Sequence, residues 1–176
     1  MVAKVRVYIA ASLDGFIAGP GDDLSWLPTE AAPEGEGAVG FEAFMADVGA
    51  MLMGRRTYDV VQGFGGDWPY GETPVLVATH RALESTIPTV RPVSGSMDTM
   101  LDAALEAAGG RDVYVDGGGM VQAALEAGRV DELIVTLAPV LLGGGVPLFG
   151  ALSERRDLVF EHHASLGSMV QLRARL

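Results

Sequence analysis

The chain has 176 residues and is 49% hydrophobic, enough for a full core, and we expect a single domain over residues 1–176. Its 23 acidic and 12 basic residues give a net charge of -11, which argues against the positive surface that nucleic acids or anionic membranes bind. The sequence has no cysteine, no apolar run near the roughly 20 residues of a membrane span and no signal-peptide pattern, so we expect a cytoplasmic protein without disulfides.

Hydrophobic periodicity predicts alternating strands and helices along most of the chain. The predicted strands lie at about residues 5–11, 50–53, 74–79, 89–93, 113–115, 133–140, 158–164 and 169–176. The predicted helices lie at about residues 40–48, 57–62, 97–108 and 120–126. Such alternation is typical of an α/β domain with helices on both faces of a mostly parallel sheet. The last two strands form a hairpin, which makes the predicted sheet mixed.

The strongest local motif is "VYVDGGGMVQAALEAG" at residues 113–128, where a strand passes through three glycines into a helix. Backbone N–H groups at a helix start favour a phosphate, and glycines let a pyrophosphate approach closely. The alternative is a tight turn made by Gly117, Gly118 and Gly119 without a ligand. Asp116 would repel a phosphate if it pointed inward, so we expect it to turn away or to accept a hydrogen bond from a hydroxyl.

A second strand end carries cations. In "MLMGRRTYDV" at residues 51–60, a strand reaches Gly54 and a helix opens with Arg55, Arg56 and Thr57. Guanidinium groups bind phosphate in a bidentate fashion, whereas a helix N-terminus ordinarily favours acids, so two arginines there indicate an anion. The alternative is a pair of solvated arginines, which we favour for Arg56 alone.

A third strand, in "VLVATHR" at residues 75–81, ends on Thr79 and Arg81, which together can hold another phosphate. The alternative is an ordinary strand end. Ligands of open α/β sheets collect at the carboxyl ends of parallel strands. Three such ends that offer Gly, Arg and Thr therefore suggest a dinucleotide with an extra phosphate.

Other chemistries lack their sequence patterns. The three histidines have no metal-ligand spacing, so we expect no metal site. No nucleophile elbow is present, and Ser96 reads instead as the N-cap of the helix that follows it. No phosphate-binding loop of the G-x-x-x-x-G-K-[ST] type is present, since Lys4 is the only lysine.

Five motifs in this order resemble the dihydrofolate reductase-like superfamily, and most closely the RibD C-terminal domain family of riboflavin biosynthesis reductases. They are "ASLDGFIA" at 11–18, "SW" at 25–26, "MGRRTY" at 53–58, "GGG" at 117–119, and "PVLLGGG" followed by "PLF" within 139–149. The resemblance covers essentially the whole chain. It implies a three-layer α/β fold with an eight-stranded mixed sheet, and a homodimer.

The resemblance also implies an activity and a set of site residues. The activity is NADPH-dependent hydride transfer to a pyrimidine- or pterin-like heterocycle, like that of a 5-amino-6-(5-phosphoribosylamino)uracil reductase. The implied cofactor-binding residues are Ala10, Ala11, Ile17, Gly54, Arg55, Thr57, Thr79, Arg81, Gly117, Gly118, Gly119 and Met120. Asp14 is the implied catalytic residue, which anchors the substrate or organises its proton donor. Ser12, Trp26 and Glu30 are the implied substrate-binding residues.

Two departures keep other functions open. Riboflavin reductases of the family carry Lys or Arg directly after S-L-D-G, where this chain has Phe16. Folate reductases carry an acid in a W-x-x-P-x-D pattern, which here is one residue shorter and ends on Glu30. The alternatives are a non-catalytic NADP-binding protein of the same fold and a true dihydrofolate reductase.

Overall fold

The computed structural model describes residues 2–28 and 34–176. The first half of the chain forms β1 (Val5–Ser12), β2 (Phe16–Ala18), α1 (Phe41–Asp47), β3 (Val48–Gly54), α2 (Arg55–Gly63) and β4 (Val75–Ala78). The second half forms β5 (Val90–Val93), α3 (Met97–Ala108), β6 (Asp112–Asp116), α4 (Gly118–Glu126), β7 (Glu132–Ala138), β8 (Val146–Pro147), β9 (Val159–Leu166) and β10 (Met169–Arg175). None of the described helices is long and apolar enough to cross a bilayer.

Eight strands form one sheet in the order β5-β4-β3-β6-β1-β7-β10-β9. The strands from β5 to β7 are parallel, and β10 runs antiparallel to both of its neighbours. The predicted mixed α/β sheet with its terminal hairpin is therefore confirmed. The homodimer stays a prediction; β9 is the outermost strand on its side, and its Val159 and Phe160 are exposed.

The sheet separates two hydrophobic cores, because side chains alternate between its faces. On one face, α3 and α4 cover a core that includes Val7 and Val115. On the other face, Phe44 of α1 and Tyr58 of α2 belong to a core that includes Met53. The result is the three-layer arrangement that the resemblance implied.

A buried ion cluster lies under α1, toward the start of β1. Arg6 is only 6% exposed, and its Nε donates to Glu132 at 2.5 Å. Its Nη1 donates to Asp112 at 3.2 Å, and its guanidinium lies 4.7 Å from the centre of the Phe44 ring. A buried charge needs such partners, because an unpaired one costs several kcal/mol. This cluster ties β1 to β6 and β7 at the end of the sheet remote from the strands' carboxyl ends.

Local sequence signals located most elements but not all of them. The α3 helix has the predicted bounds, and Ser96 caps it as expected by accepting from the Thr99 N–H at 3.2 Å. The α2 and α4 helices each begin two residues before the predicted start, because the chain becomes helical directly after Gly54 and Gly117. The short β2 and β8 strands were not predicted, since they pair with each other across more than 120 residues rather than with the main sheet.

Candidate functional site

A cleft of about 640 Å³ opens where β1, β3, β4 and β6 reach their carboxyl ends, and it continues along the face of the sheet that carries α2. Its volume lies within the range of small-molecule sites in proteins. Ligands of open α/β sheets bind at this edge. The cleft is therefore the candidate site.

Two helix starts open on the cleft. Neither α2 nor α4 has a side chain that caps its N-terminus, and neither has an acid in its first turn. The α3 helix, which lies away from the cleft, has both, in Ser96 and Asp98. Free N–H groups at two helix starts, both facing one cleft, make it suited to an anion such as a pyrophosphate.

The glycines after β6 are required by the packing around them. Gly117 has a φ of +93°, and a Cβ there would collide with the Thr57 hydroxyl. A Cβ on Gly118 would lie 2.7 Å from the Pro147 carbonyl oxygen. Glycine at these two positions lets the start of α4 lie against α2 on one side and against β8 on the other.

Both arginines at the start of α2 line the cleft, and both are paired. Arg55 donates to Asp59 at 2.8 Å and to the Ala82 carbonyl at 3.0 Å. Arg56 is largely solvated, as we favoured, since 67% of its side chain is exposed, and it also reaches Asp22 through two contacts of 3.1 and 2.8 Å. Asp22 also lines the cleft, and it is the only non-glycine residue in the described chain with a positive φ, +63°.

A carboxyl group lies beside the glycines. Asp116 lines the cleft, so it does not turn away from it, and one carboxyl oxygen accepts from the Gly117 N–H at 2.8 Å. Burial raises the pKa of Asp116 to about 6, and hydrogen bonding, including that from Gly117, offsets part of the shift. A carboxyl group of this kind exchanges a proton near neutral pH, which a group that donates to a substrate must do.

Three tyrosines line the cleft together with Asp116. Tyr8 donates to the Val39 carbonyl at 2.9 Å, and Tyr114 donates to the Tyr8 carbonyl at 2.8 Å, so both rings are held in place. Burial raises the pKa of Tyr70, and the charge of Asp116 adds to this shift, so its hydroxyl stays protonated. All three tyrosines line the cleft, which gives this part of it aromatic walls.

The structure brings nine of the predicted cofactor residues to the cleft. They are Ala10, Ile17, Gly54, Arg55, Thr57, Gly117, Gly118, Gly119 and Met120. Six other predicted residues do not line it, namely Ala11, Ser12, Asp14, Trp26, Thr79 and Arg81. Glu30 lies outside the described residues.

Asp14 does not line the cleft, and its catalytic role stays a prediction. Its side chain is exposed and accepts from the Ser12 hydroxyl at 2.6 Å. It also accepts from the Leu142 and Gly143 N–H groups at 3.1 and 2.8 Å. These bonds, with that from Ser12 the largest contributor, lower the pKa of Asp14. Asp14 thus joins the loop after β1 to the glycine-rich loop after β7.

Packing and hydrogen bonds also explain why three other predicted residues do not line the cleft. Ala11 is fully buried in the core under α3 and α4, because it follows Ala10 and points to the opposite face. Ser12 is fully buried and accepts from the Phe16 N–H at 2.9 Å. The Trp26 indole donates to the Asp23 carbonyl at 3.1 Å, which turns it back on its own loop.

At the end of β4, Thr79 and Arg81 were predicted to hold a phosphate. In the structure they form a local turn. The Thr79 hydroxyl accepts from the Arg81 N–H at 3.1 Å. Arg81 is exposed, although the neighbouring Ala82 carbonyl accepts from Arg55. This segment therefore borders the cleft through Arg55 rather than lining it.

Several residues on the α2 face of the cleft were not predicted from the sequence. Tyr8 lies two residues before Ala10 on β1, so strand alternation places it on the same face as Ala10. The same rule places Tyr114 with Asp116 on β6. These signals were available once the carboxyl ends of β1 and β6 were predicted as a site. Tyr70 and Phe64, in contrast, follow α2, and only the tertiary structure brings them to the cleft.

No group of three His, Cys, Asp or Glu side chains in residues 2–28 and 34–176 is placed to hold a metal ion. The site consists of two uncapped helix starts next to a carboxyl group, with aromatic walls. This combination suits a phosphate-bearing cofactor beside a planar, polar substrate.

Known proteins share sequence with this chain. The family model of the RibD C-terminal domain matches residues 68–172. The Bacillus subtilis (strain 168) protein YwjB, described as uncharacterized, is 31% identical over 173 residues, which cover 98% of this chain and 97% of YwjB.

Solved structures share the fold. A protein from Shewanella sp. PV-4 described as a "Putative riboflavin biosynthesis protein" superposes with a TM-score of 0.83 at 36% identity, over 98% of each chain. A Thermotoga maritima diaminohydroxyphosphoribosylaminopyrimidine deaminase/5-amino-6-(5-phosphoribosylamino)uracil reductase superposes with a TM-score of 0.69 at 16% identity. This chain covers 56% of the Thermotoga protein, and at that identity the likeness concerns the fold.

Proposed function

Because the chain belongs to the RibD C-terminal domain family, we propose that it is an NADPH-dependent reductase acting on a pyrimidine- or pterin-like heterocycle. The observation that carries the proposal is the meeting of two uncapped helix starts and Asp116 in one cleft. The first feature suits the phosphates of a dinucleotide. The second suits a heterocycle that needs a hydrogen-bond partner or a proton.

The residues of the cleft fit a dinucleotide. The N–H groups at the start of α4 and the Thr57 hydroxyl would bind the pyrophosphate, and the glycines leave room for it. Arg55 would bind the 2'-phosphate, since its position is fixed by Asp59 and by the Ala82 carbonyl. Ala10 and Ile17 would flank the nicotinamide. When bound, the cofactor supplies a hydride, and the protein supplies position and electrostatics.

Asp116 is the residue that we propose for contact with the heterocycle. Its pKa of about 6 leaves a protonated fraction near neutral pH, so it can hold or deliver a proton. The Gly117 N–H holds one carboxyl oxygen in place and orients the group. Asp14, predicted from the resemblance as catalytic, is then a positioning residue that orders the loops beside the cleft.

The first test is binding followed by turnover. NADPH and NADH are titrated against tryptophan fluorescence, and absorbance at 340 nm is then followed with a panel of pterins and aminopyrimidines. We expect tighter binding of NADPH than of NADH and oxidation of NADPH with at least one heterocycle. Tight binding of NADPH without turnover on any of them would favour the non-catalytic alternative. Failure of both nucleotides to bind would exclude the proposal and that alternative together.

A further inference from the structure

The part of the cleft that extends along α2 is apolar. We call it the outer pocket, and it is lined by Leu24, Leu27, Val60, Val61, Phe64 and Tyr70. The two leucines belong to the segment after β2, and the others belong to α2 and the chain that follows it. The Tyr70 hydroxyl is the only polar side-chain group among these six residues.

Phe64 shows that the outer pocket is open to a ligand. Its side chain lines the cleft, yet 66% of it is exposed. Val60 and Phe64 lie four residues apart, so they share one side of α2. An apolar group placed between them and the two leucines would remove this surface from water, which is the main source of affinity in such sites.

The charges along the cleft disfavour an anion in the outer pocket. Among the described residues, four charged side chains line the cleft, namely Asp22, Arg55, Arg56 and Asp116. Both arginines lie at the start of α2, where the proposed function places phosphates of the cofactor, so neither is left for a phosphate of the substrate, and Asp22 adds a negative charge close in sequence to Leu24 of the outer pocket. The segment 29–33 and residue 1, which lie outside the described ranges, contain no Lys or Arg. A phosphate placed there would lose part of its hydration and gain no cationic partner, so the outer pocket disfavours it.

Resting on the proposed function, we propose that the substrate carries an uncharged apolar or aromatic substituent, and that this substituent occupies the outer pocket. The heterocycle lies beside Asp116, whose carboxyl group accepts from or donates to a ring N–H or N. The name of the Thermotoga reductase contains a substrate with a phosphoribosyl substituent. Such a substituent does not fit the apolar wall of the outer pocket. The outer pocket thus selects against a phosphorylated substrate of the kind named for the Thermotoga reductase.

The test compares two ligands with the same ring. The full chain is saturated with NADP+, so that no turnover occurs, and the binding of 5-amino-6-(benzylamino)uracil and 5-amino-6-(5-phosphoribosylamino)uracil is measured by calorimetry. We expect the benzyl compound to bind at least about tenfold more tightly, because its ring buries apolar surface while the phosphate lacks a cation. Equal affinities, tighter binding of the phosphoribosyl compound, or no binding of either compound would overturn the proposal.

A charge variant makes the test specific to the outer pocket. Phe64→Lys places a cation there and removes the aromatic wall, so we expect the preference between the two ligands to fall at least about tenfold or to reverse. Phe149→Lys is the matched control, since Phe149 is 50% exposed and does not line the cleft. An equal effect of both variants would overturn the assignment of the pocket.

The same experiment separates this proposal from the proposed function. If NADP+ does not bind, the proposed cofactor is wrong, and the two ligands are compared on the chain alone. A preference for the benzyl compound that depends on Phe64 would then still support the apolar selection. If NADPH binds and is oxidised but only the phosphoribosyl compound is accepted, the reductase stands and the selection fails.

Discussion

Asp22 and Arg56 join the two walls of the cleft through paired contacts of 3.1 and 2.8 Å. Asp22 belongs to the segment after β2, and Arg56 belongs to the first turn of α2. The two contacts engage both carboxylate oxygens and two guanidinium nitrogens, which is the geometry in which arginine also binds phosphate. A phosphate that enters the cleft therefore competes with Asp22 for the same cation.

This competition predicts opposite effects of two substitutions. Asp22→Asn removes the competing charge and frees Arg56, so we expect NADPH to bind several-fold more tightly, whereas Arg56→Gln should weaken binding several-fold. Fluorescence titration at low and high salt measures both effects, and both should shrink at high salt. Asp67→Asn, a change of the same charge at an exposed residue that does not line the cleft, is the control.

The opposite result for Asp22 would have a clear meaning. If Asp22→Asn weakens NADPH as much as Arg56→Gln does, the pair does not compete with the phosphate. The ion pair between Asp22 and Arg56 would instead have to stay formed while the cofactor is bound.

A second prediction concerns the extra phosphate of NADPH. Arg55 lines the cleft and Arg81 does not, so Arg55→Ala should reduce the preference for NADPH over NADH about tenfold or more, while Arg81→Ala should change it much less. The measurement is the ratio of the two dissociation constants for each variant. Equal losses for NADPH and NADH in Arg55→Ala would mean that the 2'-phosphate lies elsewhere.

A third prediction follows from the raised pKa of Asp116. The folded value of about 6 lies above the ordinary value of 3.8, so between these pH values the folded chain binds more protons than the unfolded chain. The contribution of Asp116 to the free energy of unfolding is therefore fully present below pH 4. It is lost as the pH rises toward 6, and the loss amounts to roughly 2 to 3 kcal/mol. Asp116→Asn should be more stable than the parent chain at pH 8 by a similar amount, and this gain should shrink at pH 4.

Urea unfolding of the two chains at pH 4 and pH 8 measures this difference. If the parent chain has a larger free energy of unfolding than the variant at pH 8, its surroundings stabilise the ionised form of Asp116 and the predicted destabilisation by burial is wrong. The same variant should bind NADPH normally and lose turnover, because Asp116 is assigned to the heterocycle and not to the cofactor.

A fourth prediction separates a positioning role of Asp14 from a catalytic one. Asp14→Ala removes the acceptor for the Leu142 and Gly143 N–H groups, so hydrogen exchange at these two amides should become faster. Turnover and NADPH affinity should fall together, since the loop beside the cleft loses its order. A loss of turnover without faster exchange would instead restore the predicted role of Asp14, which is to anchor the substrate or organise its proton donor.

An exposed pair provides the control for Asp14. Asp157→Ala removes a carboxylate that is 77% exposed and is bonded to Arg155 at 2.6 Å. Exposed pairs of this kind contribute little, so neither exchange at 142–143 nor turnover should change.

The helix starts and the class of fold could be predicted from the sequence because their signals are local. Gly54 and Gly117 stand directly between an apolar strand and a helix, and the alternation of such units predicts a parallel sheet. Since the carboxyl ends of parallel strands lie at one edge, the order of the motifs also placed most of the cofactor residues together. The predicted cap at Ser96 is confirmed for the same reason, since an N-cap bond spans only three residues.

The assignment of roles within the site depended on contacts between distant parts of the chain. Asp14 and Asp116 both follow apolar strands, and the sequence does not distinguish them. The tertiary structure does: Asp14 meets N–H groups that lie 128 and 129 residues away, whereas Asp116 lines the cleft close to Tyr70 and Tyr114. Burial raises one pKa and hydrogen bonds lower the other, and neither effect has a local signature.

The sequence by itself determined the class of sheet and the glycines and arginines at two helix starts, because strand and helix periodicity and helix-start chemistry act within a few residues. Only the tertiary structure decided which carboxyl group lines the cleft, which arginines are paired and which wall of the cleft is apolar. Those properties come from desolvation and from charge pairs between segments far apart in the chain, and they arise only when the chain is packed.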